Sequence, residues 1–133
     1  MEHILQPQTI GQFSIAVFIA IVFLQSGIDK VISWKGNLSW LKGHFSKSPL
    51  AGVVTPMLAV ITRAELVTGL MAIYGLYCLL AFKDATCIKY AVALGLVSLL
   101  MLLLGQRIAK DYEGAKTIAI YFGVLLVALL LFN

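Results

Sequence analysis

Three pairs of polar residues interrupt or end long apolar runs: Asp29 with Lys30, Arg63 with Glu65, and Gln106 with Arg107. With Asp111 added, the carboxylates Asp29, Glu65 and Asp111 balance the cations Lys30, Arg63 and Arg107. Such groups can handle a proton at Glu65, or bind a headgroup through hydrogen bonds from Gln106, Arg107 and Tyr112 with Trp34 as a stacking ring. They can also simply tie helices together as a salt-bridge network. Arg63 and Glu65 stand about 200° apart around a helix, so each must find partners on a different neighbour. An unpaired charge costs about 2.5–3.5 kcal/mol at a bilayer centre and less near its edge, so the sequence predicts that these polar ends meet in one partly wet cavity.

A self-contained catalytic set is not legible. The two histidines, His3 and His44, lie outside the apolar runs, which excludes bis-histidine haem ligation within them. There is no E-x-x-H metal motif, no phosphate-binding glycine loop and no histidine placed to activate Ser26 or Ser98. Catalytic residues: none; metal ligands: none. Any cofactor would be borrowed, a quinone or a lipid being the candidates. Cys78 and Cys87, nine positions apart without a C-x-x-C, read as small apolar residues.

The elements that must position these groups are membrane spans. The chain has 133 residues, 61% hydrophobic and 12% charged, with a mean hydropathy of +0.98, which is far from a soluble domain. Four apolar runs, about 10–28, 62–82, 88–105 and 117–132, are each close to the length needed to cross a hydrocarbon core of about 30 Å. The expectation is an all-α, integral membrane four-helix bundle, residues 1–133 forming a single transmembrane domain. The first run lacks a basic leader and a small-x-small cleavage site, so it is expected to be retained. The net charge of +4 is spread through loops and does not point to nucleic acid.

Between spans one and two, Trp34, Leu38, Leu41 and Phe45 fall on one side of a helix and Lys35, Ser39, Lys42 and Ser46 on the other. This stripe predicts an interfacial amphipathic helix at about 34–46, with Asn37 as its N-cap and Trp34 and Trp40 as interfacial anchors. Pro49 and Pro56 bracket the approach to span two, and counting back about 20 residues from Phe82 sets Arg63 and Glu65 within about a turn of the membrane boundary. Small residues on Glu65, Thr68, Ala72 and Gly75, on Ala91, Gly95, Ser98 and Gly105, and on Ala119 and Gly123 predict close helix contacts. Loops one and three carry seven basic residues against two in loop two, so they are expected on the cytoplasmic side and both termini on the periplasmic side of a bacterial inner membrane.

Three segments in this order, "FLQSGIDKV" (Phe23 to Val31), "AELVTGLMAIYGL" (Ala64 to Leu76) and "GQRIAKDYEGA" (Gly105 to Ala115), resemble the DoxX family of small four-helix bacterial membrane proteins. Gly27, Lys30, Glu65 and Gly69 match that family's pattern. The resemblance implies an auxiliary, non-catalytic subunit of a quinone-linked membrane oxidoreductase system, with the lipid bilayer and a membrane oxidoreductase as partners. Two alternatives stand beside it: a proton-coupled small-solute transporter working through Glu65, and a membrane assembly factor or chaperone whose client docks on the stripe from Trp34 to Phe45.

Overall fold

The computed structural model describes residues 5–49, 51–108 and 112–132, and among these it is helical with no strand. Helix α1 (Pro7–Ile32) leads into a short α2 (Trp34–His44). A 3-10 turn (Ala51–Val53) opens onto α3 (Val54–Phe82), followed by α4 (Thr86–Ile108), α5 (Tyr112–Ala128) and a 3-10 turn (Leu129–Phe132). Helix α1 packs most extensively on α3, α3 on α4, and α4 on α5, while α1 also touches α4 and α5 to close the bundle.

Among the described residues, four helices are long and apolar enough to cross a membrane. The most apolar window of each has a mean hydropathy between 1.7 and 2.3, yet only 17% to 39% of that window is buried. Most of the apolar surface therefore faces outward, through residues such as Ile21, Leu70, Val97, Leu100 and Val127. Buried Ile19, Phe23, Leu79, Ile88, Leu99 and Leu125 fill the centre. An exterior this apolar requires lipid around it, and the chain is a multi-pass membrane protein by that measure.

Glycines set the helix spacing. A Cβ on Gly69 would stand 2.5 Å from Leu24 Cγ, and one on Gly27 would stand 2.7 Å from Leu66 Cδ2, so α1 and α3 meet at hydrogen-for-methyl distance in two successive places. A Cβ on Gly75 would lie 2.8 Å from the backbone nitrogen of Ile88, bringing α3 and α4 together near their shared hairpin. Small residues allow such approach where no hydrophobic force draws helices together. The pair on span four behaves otherwise: Ala119 is exposed, and nothing lies within 4 Å of a Cβ on Gly123.

Two other expectations change. The second span begins at Val54, not near Thr62, because the apolar run continues unbroken and Pro56 falls in the first turn, where no helical N–H is required of it. Arg63 and Glu65 thus sit about 14 and 17 Å along α3 from its start, deeper in the element than counting back from Phe82 suggests. Asn37 is not an N-cap. Helix α2 begins after Ser33, and Asn37 lies inside it, its amide donating to the carbonyls of Ser33 (3.1 Å) and Asp29 (3.4 Å), which ties α2 to the end of α1. The stripe Trp34, Leu38 and Leu41 is half-buried and Phe45 is buried, with Lys35, Ser39, Lys42 and Ser46 exposed.

At the other end, Lys83 adopts a left-handed conformation (φ 55°) and closes α3 with its N–H on Leu79 O, while Asp84 N–H reaches Cys78 O. The Asp84 carboxylate accepts hydrogen bonds from the Thr86 hydroxyl (2.6 Å) and N–H (3.0 Å), which hold its carboxyl below the ordinary carboxylate range and start α4. Cys78 and Cys87 are free thiols.

Candidate ligand cavity beside a buried ion pair

Glycine packing decides which charges meet. Gly27 lies one turn before Lys30 on α1 and Gly69 one turn after Glu65 on α3, so the close crossing of these helices delivers the lysine to the carboxylate. Lys30 Nζ stands 2.9 Å from Glu65 Oε1 and donates to Ser26 Oγ at 2.6 Å. Glu65 is 2% exposed and Lys30 21%, so the carboxylate is sealed in the bundle while the ammonium retains access to space around it. Thr62 and Thr68, on the same face of α3, are buried too, but their hydroxyls donate to their own helix, to Leu58 O and Ala64 O. They leave Glu65 to its partner from α1.

The ion pair separates two cavities. One, of about 230 Å³, lies under α2 and between α3 and α4; Lys30, Asn37, His44 and Gln106 supply its polar lining, and Leu41, Phe45, Leu58 and Ile61 are among its apolar walls. Trp40 also lines it and stacks on His44 with ring centroids 4.7 Å apart. The second cavity, of about 340 Å³, lies on the far side and is lined by Asp29, Glu65, Gln25, Ser26 and Tyr121 among others. In the first, Gln106 Oε1 is buried and has no hydrogen-bond partner among the described residues. A buried amide oxygen left unpaired costs about 1–3 kcal/mol, which a bound hydroxyl or water would recover.

The remaining residues of the expected cluster are placed elsewhere. Arg63 is exposed on the outer side of α3, as its angular offset from Glu65 requires. Arg107 points outward and lies over the ring of Tyr112, 4.8 Å from its centroid, so these two satisfy each other at the start of α5 and line neither cavity. Asp29 is exposed at the second cavity, and Asp111 lies outside the described residues. The convergence among described residues is therefore a single ion pair with Ser26, flanked by Gln106 on one side and Asp29 on the other.

Asn37, His44 and Ser26 are site residues beyond the expected set, and Trp40, not Trp34, is the ring at the cavity. Lys30 to Ser26 is an i to i−4 spacing and could have been read directly. The other three depend on α2 folding back over the bundle, for which the apolar stripe ending at Phe45 was the available signal. Compared with known proteins, the chain matches no family model, no curated protein and no solved structure.

Proposed function

We propose that this protein is a DoxX-like auxiliary subunit of a quinone-linked oxidoreductase system in the bacterial inner membrane, with its termini on the periplasmic side. In this reading α2 lies at the cytoplasmic interface, anchored by Trp34 and Trp40, and the cavity beneath it holds a quinone headgroup or a lipid. The observation that carries the reading is the unpaired, buried Oε1 of Gln106, a residue that lines the same cavity as Lys30, with apolar side chains over most of the remaining wall. A few convergent polar groups in a mostly apolar pocket are what a small-molecule site requires. In this reading the role is auxiliary: the polar groups that line the cavity bind and orient a headgroup.

Purification in mild detergent, followed by mass spectrometry of the extracted lipids and of co-purifying proteins, is the test. Bound quinone or respiratory components are expected, with the small molecule reduced several-fold in Gln106→Leu; finding neither in the wild type would remove the proposal.

The placement of Lys30–Glu65 between two cavities favours one second reading, a proton-coupled transporter in which the carboxylate is exposed alternately to each side. Substrate-dependent proton uptake into proteoliposomes, abolished by Glu65→Gln, would select it. Docking of a client on the Trp34 to Phe45 stripe gains less support, since that stripe is turned toward the bundle.

A further inference from the structure

Gly105 differs from the other buried glycines of the bundle. At Gly27, Gly69 and Gly75 a Cβ would collide with a neighbouring helix, whereas at Gly105 its nearest neighbour would be Phe45 Cζ at 3.9 Å, an ordinary contact. Helix packing does not account for the missing side chain. Gly105 does, however, stand where two hollows join. It lines the polar-ended cavity and also an apolar trough of about 420 Å³ between the start of α3 and the end of α4. The two share Met57, Ile61, Met101 and Gly105. The trough has only apolar lining residues, and its Val60 and Leu104 are 53% and 63% exposed on the outer surface, toward lipid.

We infer that trough and cavity form one binding site for a single-chain amphiphile, which enters sideways from the bilayer between α3 and α4 with its hydrocarbon chain passing over Gly105. This inference rests on the ligand-binding reading above and names the ligand's class. Gln106 Oε1 can only accept a hydrogen bond, so the headgroup must donate one. The Lys30 ammonium carries three donors, one of which goes to Ser26 Oγ, and it pairs with Glu65 Oε1 at 2.9 Å, so a donor remains for an acceptor in the cavity it lines. A hydroxyl satisfies both. Because Glu65 already pairs with Lys30, an anionic headgroup would have to compete with that carboxylate for the ammonium, which disfavours carboxylates and phosphates. The ligand is thus uncharged, hydroxyl-bearing and single-chained: an isoprenoid hydroquinone or a monoacylglycerol-type lipid.

The experiment titrates the detergent-solubilised full chain with four probes under anaerobic conditions and reads adducts by native mass spectrometry. The probes are decyl-tailed ubiquinol, 1-monooleoylglycerol, tail-less hydroquinone and oleate. At least one of the two neutral tailed probes is expected to bind at least tenfold more tightly than oleate, and the preferred chain identifies the source. Gly105→Leu, which fills the junction, is expected to weaken that probe at least tenfold, and Gly105→Ala to have a small effect. Val60→Trp narrows the outer rim and should act in the same direction, at a residue 53% exposed on the outer surface. Tailed binding indifferent to both Gly105→Leu and Val60→Trp, or oleate binding as tightly as the neutral probes, would overturn the inference while leaving a cavity ligand in place. If no probe binds the wild-type chain, the cavity reading falls with it.

Discussion

Glu65 is a carboxylate with almost no access to solvent, held by one ammonium that keeps some. The two halves of the pair therefore respond differently to substitution. Lys30→Met strands the carboxylate and is expected to destabilise the bundle by about 3 kcal/mol, because a buried charge that loses its partner keeps its full desolvation penalty. Glu65→Gln leaves an ammonium with Ser26 beside it and a cavity to face, and should cost about 1 kcal/mol. Combining Lys30→Met with Glu65→Leu is expected to recover most of the loss. Unfolding midpoints in a mild detergent measure all three, and equal losses for the two single variants would mean that the carboxylate is hydrated in the bundle.

Among the elements, α1 and α3 are the pair whose distance matters most, and glycines define it. Gly69→Ala is expected to cost about 1–3 kcal/mol, since the new methyl must displace Leu24 or part the helices. Gly123→Ala, with open space around it, should instead gain up to about 1 kcal/mol from helix propensity, so thermal midpoints of the two variants should move in opposite directions. The contrast also marks what the sequence could disclose. Four spans were legible because bilayer thickness imposes apolar runs of about 20 residues, and Glu65 was legible as inward-facing because Thr68, Ala72 and Gly75 share its side of α3. Ala119 and Gly123 have the same spacing yet face outward, since periodicity defines a face without saying which neighbour covers it. For the same reason Gln106 and Arg107, adjacent in sequence and about 100° apart on α4, could be grouped from the sequence although only the glutamine reaches the cavity. Asn37 and Trp40 were assigned to a free interfacial helix because nothing local shows that α2 folds back toward α1 and α3.

For the molecule as a whole, the two ends of the bundle differ in charge. In the sequence, the connections that follow α1 and α4, with the helix ends beside them, carry seven basic residues against two around the α3–α4 hairpin. One of the seven, Lys30, is neutralised inside the bundle, and the bias survives its removal. A reporter that fluoresces only in the cytoplasm is accordingly expected to be bright when inserted at Ser48 and dark when fused to the C terminus. The reverse pattern would place the ion-pair cavity beside the opposite leaflet and cancel the orientation proposed for it.

The amide side chains of Gln8 and Gln12 both donate to the carbonyl oxygen of Leu131, each at 2.7 Å, so the opening turns of α1 clasp the closing turn of the chain. Two hydrogen bonds thus hold the first and last of the described helical turns side by side. A short peptide linking Leu5 to Phe132, with new ends cut at the exposed turn between Lys83 and Asp84, is expected to keep the helix-to-helix packing of the parent while changing the order in which the ribosome delivers the helices.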